Sequence, residues 1–228
     1  MPDEIISYQE MCRRENTRLR RGMNFGLGGN HSVILMSGRS DAPYRDRFGE
    51  DGTTLVYEGH DQSRMVINLE PKLMDQPAVT SSGALTQNGL FFRAAERFKS
   101  GQRDAERVRV YEKILPATWS YNGVFHLVDA WQEDDTERKV FKFKLAAVEG
   151  EEDFAVTAPV TPMRRHLIPS QIKLEVWQRD EGKCAVCGAT EELHFDHRAS
   201  SPKGDSPATA ENVRLLCARH RPAVAGPL

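Results

Sequence analysis

Cys184 and Cys187 stand in the run K-C-A-V-C-G, and about thirty residues on Cys217 and His220 repeat the same gap in C-A-R-H. Three thiols and an imidazole in two such pairs are the donors and the spacing of a structural zinc site. Between the pairs lies H-F-D-H, which sets Asp196 beside His197, and then Asn212 just ahead of the second pair. A metal clip of this kind holds a carboxylate and an imidazole on a segment too short to hold them with a core of its own. Near neutral pH a neutral imidazole accepts a proton, and a hard carboxylate oxygen suits magnesium or manganese. His197 is therefore expected as a general base and Asp196 as the ligand of a catalytic divalent cation.

The combination C-x-x-C, D-H, N and a second ligand pair resembles the HNH nucleases in their zinc-stapled ββα-metal form, over Pro169 to Pro222. The resemblance implies phosphodiester hydrolysis. That reaction needs a base to deprotonate water and a cation to hold the oxygens on which charge grows. It also implies that Asn212 hydrogen-bonds the loop holding the base and so aims the imidazole; as a plain turn residue after Thr209 it has an equally ordinary role. Neighbours on a regular strand point to opposite faces, so Asp196 and His197 share one phosphate only if the strand ends or bulges there. The following R-A-S-S-P-K-G is expected to supply that break. Where the family places a further histidine or asparagine after the last zinc ligand, this chain has Arg221. Three arrangements stay open: Asp196 holds the cation with phosphate and water alone, His220 leaves the zinc, or cutting is lost and Arg221 contacts phosphate. His194, two residues before Asp196, is on the same strand face and is a substitute ligand or a surface histidine.

The chain has 228 residues, of which the motif region takes about sixty, and this predicts two domains. The expected boundaries are 1–158, a linker at 159–168 with its prolines, and 169–228. After the linker, Ser170 is expected to cap a short helix carrying Ile172, Leu174, Val176 and Trp177 and ending near Gly182. Cys12 is the fourth cysteine, so no disulfide framework is expected. No apolar run approaches the length of a membrane span, and the acidic start M-P-D-E-I-I is unlike a signal peptide, which predicts a soluble cytoplasmic protein. Net charge is −2, but residues 159–228 hold ten Lys/Arg against eight Asp/Glu, and R-R-E-N-T-R-L-R-R from Arg13 to Arg21 is a second basic cluster.

Residues 1 to 24 are expected as helix. Apolar runs at 33–36, 55–57, 108–114, 124–128 and 140–145 predict strands, and Thr86 followed by Phe91, Phe92, Ala95, Phe98 and Gly101 predicts one well-bounded helix. Strands around one or two helices suggest a curved, partly closed sheet.

Y-N-G-V-F-H-L-V-D-A-W, Tyr121 to Trp131, resembles the Y-D-G run of the SRA domains, with Asn122 in place of the aspartate. S-V-I-L-M-S-G-R, Y-E-G and the Asp75-Gln76 pair occur in the same order as in that family, across Asn24 to Glu149. The resemblance implies a PUA-like curved barrel with flanking helices, hence an α+β chain. It also implies a pocket for a modified cytosine flipped out of duplex DNA, with two aromatic rings sandwiching the base and an acid reading its edge. Tyr57 falls at the second ring. Arg39 stands near the first, which leaves Tyr44 as candidate ring and Asp41 or Asp46 as candidate acid; Gly38 is expected to let backbone approach the base or to make a turn.

Joined, the two resemblances imply a modification-dependent restriction endonuclease that binds double-stranded DNA carrying 5-methylcytosine and cuts nearby, at a distance set by the linker. Cutting both strands implies a homodimer. Two alternatives remain: a non-cleaving reader with a degenerate HNH unit, and an HNH nuclease whose first domain reads unmodified nucleic acid.

Overall fold

A computed structural model describes residues 1–39, 41–62, 70–135, 138–148, 166–197 and 208–221. The fold is α+β and dominated by one mixed sheet. Its elements are β1 (Glu4–Ser7), α1 (Tyr8–Arg14), β2 (Met23–Leu27), β3 (His31–Met36), β4 (Arg47–Phe48), β5 (Thr54–Glu58), a 3-10 turn at Pro71–Leu73, α2 (Gln87–Lys99), β6 (Glu106–Leu115), β7 (Thr118–Asp135), β8 (Arg138–Ala147), α3 (Ser170–Arg179), β9 (Leu193–His197) and β10 (Val213–Cys217).

Strands run in the order β10-β9-β1-β7-β6-β3-β2, with β8, β5 and β4 branching from β7. The branch follows from length. The first part of β7 pairs with β1 and β6, and Phe125 to Asp135 pair with β8. The β3–β6 pair is parallel and the others are antiparallel. The main core gathers residues of β2, β3, β5, β6, β7 and β8 around Phe91, Ala94 and Ala95 of α2. As expected, Thr86 caps α2, its hydroxyl accepting from the Gly89 N–H at 3.2 Å.

The amino terminus departs from expectation. Helix covers only Tyr8–Arg14, while Ile5 and Ile6 belong to β1. Ile6 is buried with Met11, Val33 and Tyr121, whereas Ile5 packs toward Phe195, Leu216 and Trp177. Two adjacent apolar residues serving cores on opposite sides is a strand's period of two, and burial on both faces outweighs helix propensity. The Ser170 expectation is also corrected: Pro169 takes the cap position and Ser170 is the first helical residue. β7 extends well beyond the apolar run 124–128, since its polar far end is stabilised by pairing with β8.

Phe91 is fully buried, with its ring 5.2 Å from Phe25 and 5.8 Å from Phe143. Phe91→Ala should lower stability by about 3–5 kcal/mol, read as a reduced urea midpoint with an unchanged slope.

Candidate functional site

The two cysteine-bearing segments converge. Cys184 Sγ lies 3.5 Å and Cys217 Sγ 3.4 Å from His220 Nδ1, and Cys187 Sγ lies 3.8 Å from Cys217 Sγ. All four ligand atoms fall within 4.8 Å of one another. Tetrahedral ligation with Zn–S of about 2.3 Å and Zn–N of about 2.0–2.1 Å places sulfurs about 3.8 Å apart and sulfur about 3.5 Å from nitrogen. Cys184, Cys187, Cys217 and His220 therefore fit a structural metal such as zinc. Its contribution there would be a cross-link.

Local backbone chemistry helps to build the cluster. The Cys184 N–H donates to Ala189 O at 2.7 Å, and Gly188, at φ 74°, turns the loop so that its N–H reaches Cys184 O at 2.8 Å. Burial alone raises the Cys184 thiol, but backbone N–H donors from Cys217, Val186 and Cys187 outweigh it and pull the group down to about 6. Beneath the cluster, Leu193 and Leu216 pack with Ile5 and Trp177. α3 closes the other side, with Ile168, Val176, Phe195, Val213 and Leu215 as its buried contact. Arg179 donates to Val213 O at 2.9 Å, and Asp180 accepts from the Leu215 N–H at 2.8 Å, so the end of α3 is tied to β10.

β9 and β10 form the hairpin that carries the expected reaction centre. Across it Arg214 pairs with Asp196 in register, Nε to Oδ2 3.4 Å, with 26% and 17% of the side chains exposed. His194 shares the Asp196 face, is buried, and its Nε2 has no hydrogen-bond partner among the described residues. Burial and then the charge of Arg221 lower its pKa. β9 ends at His197, which the strand period assigns to the opposite face, toward Phe195 and Val213. The R-A-S-S-P-K-G segment expected to turn the chain there lies outside the described residues, as does everything after Arg221. Asn212 Oδ1 accepts from the Thr209 N–H at 2.7 Å, a local turn contact.

At the far end of the sheet a second group assembles. The Tyr44 and His60 rings stack, 4.8 Å between centroids and 11° between planes. Tyr57, on β5, shares a 2.8 Å hydrogen bond through its hydroxyl with His60 Nε2, the rings 6.0 Å apart. The imidazole thus lies between two tyrosines. Asn88 of α2 holds its backbone on both sides, accepting from the His60 N–H at 2.9 Å and donating to His60 O at 2.8 Å. Gly22 lies flush against the ring, since a Cβ there would come within 2.6 Å of it. Below sits a charged layer: Lys72 Nζ is 4.2 Å from the Tyr44 centroid and 3.0 Å from Asp61, and Asp61 and Glu58 share Arg138.

The candidate acids separate. Asp41 is exposed and paired with Arg39, whereas Asp46 accepts from the Ser37 and Glu58 N–H groups at 3.3 and 3.0 Å. Burial pushes the Asp46 carboxyl up to about 7. Gly38 is elsewhere: a Cβ there would collide with Ser170 at the start of α3. His60, Arg214 and the Glu58–Arg138 layer were not foreseen. The only sequence signal for His60 is its place right after Y-E-G, and Arg214 becomes visible only once the hairpin register is known.

Burial pulls His60 down to about 4. Its folded value lies below its unfolded one, so the stability it contributes is complete above about pH 6.5 and is lost as pH falls toward 4. The His60→Gln protein should lack on the order of 1–3 kcal/mol of that loss, measured by urea unfolding at pH 7, 5.5 and 4. Cys217→Ser should reduce zinc from about one ion per chain to near none by elemental analysis and lower the thermal midpoint.

No protein-family model matches the chain, and no curated protein does. Among solved structures, it is similar to the SRA domain of SUVH5 in complex with hemi-methylated CG DNA, at 23% identity and TM-score 0.46 over 68% of this chain and 92% of that one. It is similar to the modification-dependent TagI restriction endonuclease at 17% identity and TM-score 0.44, over 96% of this chain and 75% of that one. KRYPTONITE in complex with mCHG DNA and SAH is similar at 18% identity and TM-score 0.44, over 69% of this chain and 34% of that one.

Proposed function

We propose that the chain is a modification-dependent DNA endonuclease, with a PUA-like SRA unit reading 5-methylcytosine and a zinc-stapled HNH unit hydrolysing a nearby phosphodiester. The observation that carries this reading is that one sheet bears an aromatic slot at one end and, at the other, a Cys3His-clipped hairpin with Asp196 and His197. A flat ring already occupies the slot. A flipped cytosine needs the same two things the imidazole finds there, a stacking face on Tyr44 and a polar partner at Tyr57. Extruding a base costs a few kcal/mol, which stacking and edge hydrogen bonds must return, and a methyl group adds apolar contact in a cavity shaped for it. On entry of the base His60 moves aside, and Asp46, whose carboxyl burial pushes up to about 7, accepts from the Glu58 N–H at the end of β5 and is the candidate acid beside the slot.

In the hairpin, His197 would serve as the base for the attacking water and Asp196 would hold a magnesium or manganese ion, which would supply positive charge for the phosphoryl oxygens. Arg214, paired across the hairpin with Asp196, is a donor for the phosphate. A single centre cuts one strand, so double-strand cleavage requires a homodimer or two copies meeting on DNA. The Arg214–Asp196 pair favours one competing reading: a guanidinium in the cation's place would leave a DNA reader that does not cut.

Digestion of otherwise identical methylated and unmethylated plasmids with magnesium or manganese tests both. The expected outcome is cutting of the methylated plasmid only. Binding without nicking over the whole metal series leaves the reader, and equal cutting of both plasmids removes the modified-base pocket. His197→Ala should lower the cleavage rate by about 10²–10⁴-fold with zinc content and DNA affinity retained.

A further inference from the structure

Lys173 projects from α3, which closes the zinc hairpin, yet its ammonium group ends inside the other half of the molecule. Its side chain is 1% exposed, and Nζ reaches Asn122 Oδ1 at 2.6 Å, Ser120 Oγ at 3.1 Å, Glu112 Oε2 at 3.1 Å and Asp3 Oδ1 at 3.1 Å. Three of these acceptors sit on β6 and β7, and Asp3 just precedes β1. The Asn122 amide donates to the same Glu112 oxygen at 2.9 Å while its carbonyl accepts from Lys173. Asn122 is the departure from the Y-D-G motif, and the contact explains it. An aspartate there would lose the donor and place a third carboxylate beside Glu112 and Asp3 around a single ammonium group.

Two further contacts act on the same junction. β1 pairs with β7 along four residues and touches β9 at Glu4 and His194, where the Phe195 N–H donates to Asp3 O at 2.9 Å. Gly38 leaves room for Ser170, whose Oγ lies 2.0 Å from where a Cβ would be. A buried ammonium with directional, charge-assisted bonds tolerates little sliding, because each displaced acceptor leaves charge uncompensated in a dry interior. Apolar contact alone would be more forgiving. Fixing register is the best-attested use of such a group.

Building on the function proposed above, we propose that the Lys173–Asn122–Glu112 contact is the joint that holds the zinc hairpin at one position relative to the aromatic slot. The distance from modified base to cut phosphate is then set by this joint, and not by the segment connecting residues 148 and 166. Lys173 is a positioning residue. It touches neither reaction centre.

The test uses the full chain carrying Lys173→Met with Glu112→Gln and Asp3→Asn, which removes the ammonium group and both carboxylates that face it together. Asn122→Asp serves as a second, nearly isosteric variant. Cleavage ends are mapped on a duplex with one 5-methylcytosine, and amide hydrogen exchange is followed at Phe195 with the β5–β8 ladder as internal reference. The expected result is ends that spread over several additional nucleotides, Phe195 exchange at least tenfold faster, and an unchanged β5–β8 ladder, with zinc at one per chain. Ends as narrow as those of the parent, in a folded and zinc-loaded variant, overturn the proposal. If the parent cuts no modified DNA, the nuclease reading fails by itself. Phe195 exchange then decides the joint: unchanged protection, or loss spread evenly over the ladder, overturns it, whereas selective loss at Phe195 supports it.

Discussion

Both candidate sites hang from one strand. β7 spends its first residues on β1 and β6 and its last on β8, so its hydrogen-bond ladder is the frame in which every other distance is set. Through β8 it holds β5 and hence Tyr57; through β1 it holds β9 and hence Asp196 and His197. Ladder bonds fix position along the strand to a residue, and a slip by one would turn each side chain to the wrong face. The shift between Leu127 and Asp129 falls where the β6 pairing stops and the β8 pairing continues, and a bulge there re-aims the strand without ending it.

The molecule carries its ionic groups unevenly. Glu58, Arg138, Lys142 and Asp61 lie beneath the aromatic slot with little or no exposure, and Glu15 is enclosed by His31, Tyr111 and Arg109. Buried pairs of this kind contribute little net stability, since desolvation offsets most of the attraction, but removing one partner is costly. They are therefore better at specifying an arrangement than at strengthening it. Under the slot they hold loop 44–46 and the turn at Pro71 against β5 and β8: the Arg45 N–H donates to Glu58 Oε2 at 3.1 Å and Arg138 to Pro71 O at 3.2 Å. On the proposed reading, a pocket that exchanges one ring for another needs walls that stay put. Apolar loops would close over the gap instead.

How much of this was legible in the sequence follows from the range of each signal. The Cys3His cluster is local within each pair and demands convergence, so spacing alone announces it. α2 is bounded by Thr86 and Gly101, and the strands of the main core announce themselves by runs of Val, Ile, Leu and Phe. Tyr44 and Tyr57 both contact His60, while Asp41 and Gly38 lie elsewhere. Three features were invisible because long-range pairing creates them. Ile5 and Ile6 read as a helical stretch until two cores claim them separately. Lys173 reads as a solvated residue on a short helix, and a lysine's burial depends on acceptors fifty and more residues away. Arg214 faces Asp196 only through a register that the sequence does not print.

That last pair bears on whether the hairpin can cut, and magnitude is the way to judge it. At 3.4 Å with a quarter of the arginine exposed, the Arg214–Asp196 contact belongs to a class of ion pairs whose net value is about 0–1 kcal/mol. On the nuclease reading, a divalent cation held by Asp196 would carry twice the charge of the guanidinium, which would outweigh a contact of that size once DNA supplied a phosphate. On that reading the guanidinium displaced from Asp196 would stay on the same strand face, where a phosphate would offer it a bidentate partner better than one carboxylate oxygen. On the nuclease reading, then, Arg214 neutralises the acid while DNA is absent and changes partner when it arrives. The Arg214–Asp196 pair is thus a weak lock, and on the same reading Arg221, where the HNH resemblance implies a further ligand, is the greater obstacle, because a guanidinium does not bind a cation.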